Sequence, residues 1–182
     1  MLAKLGVARP YVIHVGAIEP RKNLADLIDA HQVLVDAGHD LDLVLVGTSP
    51  KGISVSLPSG AAGRVKQLGF VHDDAVPVLL RHAAAAAYPS IEEGFGLPVL
   101  EALAVGTSVV TTEASVMADV GGEAVRCVPA GDVAALAGAL ADAVSESAIE
   151  KSRQFHVRIE RAARFTWHAS ASAHASLYRS LN

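Results

Sequence analysis

Short apolar runs alternate along this chain with stretches in which apolar residues return every three or four positions. Tyr11-Val12-Ile13-His14-Val15 is a β-branched run closed by Gly16, the signature of a buried strand. Leu24, Leu27, Ile28, His31, Leu34 and Val35 then trace one helical stripe, with Asn23 placed to cap it and Gly38 to stop it. Leu41 to Val46 is the second predicted strand, ending at Gly47, and the Ser/Gly/Pro-rich stretch from Thr48 to Gly63 predicts a surface loop. A third strand is expected around Leu68-Gly69-Phe70, then a helix capped by Asp73 or Asp74 and running to His82. Ala83 to Tyr88 gives a fourth strand without large apolar side chains. A helix from about Leu97 to Gly106, a strand over Ser108–Thr111 and a short helical segment over Ser115–Val120 follow. After a last strand from Ala124 to Val128, Asp132 caps an alanine-rich helix to Val144, and two more helices span about Ile149–Arg164 and Trp167–Leu181. Strands that are apolar throughout, alternating with helices over short connections, predict a parallel sheet covered on both faces. The reading is one doubly wound α/β domain, Rossmann-like, with extra C-terminal helices.

Composition narrows the class. The 182 residues are 51% hydrophobic and 19% charged, which suits a filled core and excludes disorder. A net charge of −4 without a basic stripe argues against a nucleic-acid partner. A single cysteine, Cys127, forms no internal disulfide and fits a reducing, cytoplasmic setting. No signal-peptide pattern opens the chain, and no apolar run is long enough to cross a bilayer.

Candidate chemistry concentrates at Glu93-Gly94-Phe95-Gly96-Leu97-Pro98-Val99-Leu100-Glu101. Gly94 and Gly96 allow a tight turn and a close ligand approach, and Pro98 suits the first turn of a helix. The helix N-terminus presents free N–H groups and a positive dipole end, which favour a phosphate. Glu93 before the turn and Glu101 one turn into the helix can address one ligand from two sides. In a doubly wound sheet, ligands sit beyond the carboxyl ends of the strands near the switch point. That edge also carries Gly16 and the turn Glu19-Pro20-Arg21-Lys22, so two cations and a helix N-terminus can neutralise a diphosphate. A dinucleotide glycine pattern, a Gly-Lys-Ser/Thr phosphate loop, a Cys/His metal cluster and a Gly-x-Ser-x-Gly elbow are all missing.

Val15-Gly16-Ala17-Ile18-Glu19-Pro20-Arg21-Lys22-Asn23, Tyr88-Pro89-Ser90 and the Glu93–Glu101 segment together resemble glycosyltransferase family 4, retaining enzymes of the GT-B fold. Gly69-Phe70-Val71, Ala104-Val105-Gly106-Thr107 and Phe165-Thr166-Trp167 add lesser matches, so the likeness runs from about Pro10 to Tyr178. The resemblance implies that residues 1–182 form the C-terminal donor-binding domain, lacking the N-terminal acceptor-binding half and inactive alone. It implies a nucleotide-sugar partner such as GDP-mannose or UDP-glucose, transfer of mannose or glucose to a glycan or lipid-linked acceptor, and no essential metal or other cofactor. Lys22 and Arg21 would neutralise the diphosphate, and Glu93 would meet the sugar hydroxyls. Gly16 and the backbone of Gly94, Phe95, Gly96 and Leu97 would hold phosphate or sugar, Glu101 the ribose hydroxyls, and Phe70 and Val71 the base. Any peripheral membrane contact would reside on the missing half. Many family members carry Arg where this chain has Ala17, a place Arg21 would compensate. The alternative is a non-catalytic nucleotide- or protein-binding module of the same fold.

Other residues have plainer expected roles. The Phe95 ring reads as a core plug, and His14 and His31 as packed, hydrogen-bonded side chains. His72 lies near the expected base site, Cys127, in an apolar strand, is expected to be inert, and Trp167 is expected to anchor the last helix.

Overall fold

In a computed structural model, residues 2–8, 10–49 and 63–181 are described. Most of the loop expected over 48–63 therefore lies outside the described residues. A six-stranded, wholly parallel sheet has the order β3-β2-β1-β4-β5-β6. Its strands are β1 (Tyr11–Val15), β2 (Asp42–Val46), β3 (Val65–Gly69), β4 (Ala85–Tyr88), β5 (Val109–Thr112) and β6 (Arg126–Val128). The order reverses between β1 and β4, which opens a crevice beyond their carboxyl ends.

Alternation along the strands divides the core into two layers. Val12, Leu43, Leu45, Ala85, Ala87 and Val110 pack against α1 (Leu24–Asp36) and α5 (Val133–Val144) through Leu27, Ile28, Leu34, Leu136 and Leu140. On the opposite face, Tyr11, Ile13, Val44, Ala86, Tyr88 and Val109 meet α2 (Ala75–His82), α3 (Leu97–Ala104) and α4 (Val116–Gly121) through Leu79, Leu80, Leu103 and Met117. Each fully buried Leu, Ile or Val contributes roughly 1.5–3 kcal/mol, so neither layer is dispensable. The three alanines of β4 are all fully buried; their small side chains let helices close on the centre of the sheet from both sides. The helix α6 (Ala148–Ala163) lies on α3. Glu146, just before it, accepts from Arg158 Nη2 at 2.7 Å and pairs with Arg126 Nη2 at 2.8 Å, fastening that helix to the sheet.

Several local expectations are corrected. Asn23 occupies the position before α1 in the left-handed conformation, φ 52°, and its side chain donates to Asp26 instead of capping the helix. Asparagine tolerates that conformation because its short polar side chain bonds locally. Neither Asp73 nor Asp74 caps α2 through its side chain: Asp74 is already helical, and the first turn is closed by backbone bonds to His72 and Asp73. Caps do form at Ser115, Asp132, Ser147 and Thr166. Cys127 is exposed, because β6 is a short edge strand; its thiol pKa is still raised, by partial burial and the Glu113 carboxylate. Trp167 opens α7 (Trp167–Ser180) but anchors nothing: it is 85% exposed, and no residue of that helix is buried. Phe95 is half-exposed and meets Phe165 edge-on at 6.2 Å, so its ring is not a core plug.

Candidate functional site

Two glycines set the floor of the crevice. Gly16 ends β1 and donates to the Val46 carbonyl at 2.9 Å, while Gly47 ends β2 and donates to Gly69 at 2.8 Å. A side chain at Gly47 would run into the Gly16 carbonyl oxygen at 2.0 Å, so the two strand ends touch backbone to backbone. Beyond Gly16, residues Pro20–Lys22 form one short 3-10 turn started by proline and closed by the Asn23 N–H on the Pro20 carbonyl at 3.0 Å. That turn delivers Arg21 and Lys22 to the crevice.

The segment after β4 is tied to this turn. The Ile91 N–H donates to the Arg21 carbonyl at 2.8 Å, and Thr112 Oγ1 donates to the Ser90 carbonyl at 2.8 Å. Glu93 consequently lies between both cations. Lys22 Nζ donates to Glu93 Oε1, Arg21 Nη1 donates to Oε2 at 3.0 Å, and Ser90 Oγ donates to Oε1 at 3.0 Å. Burial disfavours the charged carboxylate, but the bonds from Lys22 and Ser90 and the Lys22 charge outweigh it and hold the Glu93 pKa below its ordinary value. Lys22 is only 6% exposed, whereas Arg21 is exposed and also bonded to Glu19 at 2.7 Å. A buried lysine needs a charge partner, and the sequence turn left open which cation lies innermost. Lys22 is the inner one.

Gly96 precedes α3 with φ 92°, a conformation that favours glycine, and a Cβ there would press on Met117 Cγ at 3.0 Å. No side chain caps this helix, and among the described residues the N–H groups of Gly94, Phe95, Gly96 and Leu97 make no backbone hydrogen bond. They form a row of free donors at the positive end of the helix dipole. A Cβ on Gly94 would meet nothing within 4 Å, so the approach to that row is open.

Glu101 is exposed and has no hydrogen-bond or ion-pair partner among the described residues; desolvation and the Asp73 charge raise its pKa. Asp73 acts on Glu101 because the loop after β3 lies near α3. The same loop starts with Phe70, 77% exposed, and half-buried Val71. His72 is exposed and lies 3.3 Å from the Asp74 carboxylate. Thus Arg21, Lys22, Glu93 and the glycine turn meet at one point, with Glu101 and Phe70 on the same edge. Ser90 went unassigned in the sequence, although it sits one helical turn's spacing before Glu93 in the Tyr-Pro-Ser segment. Among the described residues no group of three or more His, Cys, Asp or Glu is arranged to hold a metal ion.

A parallel α/β sheet with cations and free helix N–H groups at its switch point is of the doubly wound class, whose ligand crevice lies at that point. The family is narrower: residues 4–164 match the glycosyl transferases group 1 family, and the chain belongs to it. It is 34% identical over 131 residues to the Escherichia coli O-antigen chain mannosyltransferase B, covering 69% of this chain and 34% of that one. It is 32% identical over 173 residues to the Mycobacterium tuberculosis GDP-mannose-dependent alpha-(1-6)-phosphatidylinositol dimannoside mannosyltransferase, covering 89% of this chain and 42% of that one. In structure it resembles Anabaena HepE, solved in complex with UDP, with a TM-score of 0.82 and 23% identity over 98% of this chain and 51% of that one. The fold is therefore the Rossmann-like one of GT-B glycosyltransferases, and the chain spans between about a third and a half of the length of these proteins. No described helix is long and apolar enough to cross a membrane.

Proposed function

We propose that this chain is the nucleotide-sugar-binding part of a longer retaining hexosyltransferase, and that the remainder supplies the acceptor site. The observation that carries the reading is buried Lys22, ion-paired to Glu93 beside the free N–H row of Gly94–Leu97. A diphosphate placed there meets an ammonium, a guanidinium and a helix dipole in a partly desolvated crevice, where such donors act most strongly. As the sugar–phosphate bond breaks, Lys22 and Arg21 stabilise the charge gathering on the departing diphosphate. Glu93, held ionised, takes sugar hydroxyls and fixes the hexose, and the acceptor hydroxyl adds on the face the diphosphate leaves, giving its proton to the departing phosphate oxygen, so configuration is retained. Glu101 offers unpaired oxygens to the ribose, and Phe70 an exposed ring to the base. Catalysis is then positioning and charge stabilisation, without an essential metal.

The names of the relatives favour mannose as the sugar, with glucose the alternative. Calorimetric titration of the folded chain with GDP, UDP, GDP-mannose and UDP-glucose, with and without magnesium, tests the reading. Binding of one nucleotide without metal, weakened at least tenfold by Lys22→Ala, is expected. A folded chain that binds none of the four would instead favour a non-catalytic module.

A further inference from the structure

Beneath the cations lies a buried polar group that this chemistry leaves unused. His14 is 1% exposed, in β1 two residues before Gly16. Its Nδ1 lies 2.9 Å from the Ala87 carbonyl oxygen. A carbonyl only accepts, so Nδ1 carries the proton and Nε2 keeps a lone pair. Burial lowers the imidazole pKa to about 4 against that hydrogen bond, with the Lys22 charge pushing the same way and the Glu93 charge opposing it, so the ring is neutral at pH 7. The Tyr88 ring packs beside it, centroids 5.5 Å apart. Nε2 has no hydrogen-bond partner among the described residues, and buried acceptors left in that state are rare.

Gly16 decides what faces that lone pair. It has φ 154°, and a Cβ built on it would lie 3.3 Å from His14 Nε2 and 3.9 Å from both Cε and Nζ of Lys22. The imidazole acceptor and the ammonium thus border one small space over a residue with no side chain. An ammonium has three protons to donate, and Glu93 Oε1 receives one of them.

We propose that His14 is a positioning residue for Lys22: its Nε2 accepts a second ammonium proton, directly or through one water above Gly16, when the third turns to the donor's diphosphate. The inference rests on the donor-binding reading above. A neutral acceptor suits the task better than the alternatives. A second carboxylate would compete with the phosphate for the positive charge, and an apolar side chain would leave the ammonium's inner proton unsatisfied. The imidazole orients the ammonium and leaves its charge for the ligand.

The test is nitrogen NMR of the histidine-labelled chain titrated with GDP and UDP, alongside calorimetry on His14→Leu and His14→Gln. On saturation the Nε2 resonance should move in the direction of a hydrogen-bonded acceptor while Nδ1 holds still. Loss of one hydrogen bond to a charged group should weaken nucleotide binding in His14→Leu by about tenfold. His14→Gln, whose amide oxygen can reach the same space, should recover most of that. The proposal is overturned if a nucleotide binds in a Lys22-dependent way while Nε2 stays unchanged and His14→Leu keeps full affinity. A wild-type chain that binds neither nucleotide overturns the donor reading itself, and this one with it. The NMR arm needs no substitution, so a poorly folding variant does not shield the proposal.

Discussion

Gly47→Ala tests how the fold and the site are joined. Gly47 has φ 134°, and an added Cβ would come 2.0 Å from the Gly16 carbonyl oxygen and 2.7 Å from its carbonyl carbon. Both atoms are backbone, so no rotamer change relieves the overlap. Forcing an L-residue into a sparsely populated conformation costs roughly 1–3 kcal/mol, and overpacking adds roughly 1–3 kcal/mol. A loss of about 4 kcal/mol is therefore expected, a large part of the roughly 5–15 kcal/mol that keeps a domain folded. Gly38→Ala is the control: its φ is 92°, but nothing lies within 4 Å of the added carbon. It should lose only the conformational share, about 1–2 kcal/mol. Urea unfolding followed by far-UV dichroism measures both, since Trp167 is too exposed to report on folding. Because the Gly16 N–H is bonded to Val46, the strand end that moves also carries the Arg21–Lys22 turn. Nucleotide affinity should accordingly fall in Gly47→Ala and hold in Gly38→Ala. Equal losses in the two variants, or wild-type stability in Gly47→Ala, would refute the reasoning.

Three further outcomes are expected. Glu146→Leu strands the buried Arg158 guanidinium, so urea unfolding should show a loss of about 3–5 kcal/mol, with nucleotide affinity unchanged because this cluster lies away from the crevice. For His14, the folded pKa of about 4 lies below the ordinary 6.5, so the unfolded chain binds the proton more readily. Its contribution is intact above pH 6.5 and declines by about 3 kcal/mol as pH falls to 4; Glu93 and Glu146, with lowered folded pKa values, add losses only below the ordinary carboxylate range. Urea midpoints between pH 7 and 5 should therefore slope in the wild type and slope less steeply in His14→Gln, where buried His31, its pKa also lowered by desolvation, keeps the remainder; equal slopes would count against a buried neutral imidazole. Phe70→Ala should leave stability within about 0.5 kcal/mol yet weaken nucleotide binding by about tenfold in calorimetry, the value of one base–aromatic stack.

Strand and helix positions were legible because strands covered on both faces are apolar throughout, and the helices between them keep one stripe. The misreadings share a cause. Hydrophobicity shows that Phe95, Cys127 and Trp167 favour cover, but not whether the fold provides it, and all three emerge exposed. Asn23 and Asp74 look like caps by residue type, yet a cap also needs the right backbone angles, which neither has. At the site, the expected sheet edge placed the Gly94–Gly96 turn beside the cations' turn. It left the order of Arg21 and Lys22 open, because that depends on a proline-started turn of three residues. The orphaned lone pair of His14 was invisible, since it follows from which carbonyl Nδ1 meets across the sheet.

The central claim is that a nucleoside diphosphate sits on the Gly94–Leu97 donors beside Lys22. Backbone amide NMR during titration with GDP and UDP tests it most directly. The largest shifts should fall on Gly94, Phe95, Gly96 and Leu97 and vanish in Lys22→Ala. Shifts that gather elsewhere, for instance in the cleft between Arg81, Gly106 and Phe155 at the other end of α3, would contradict it.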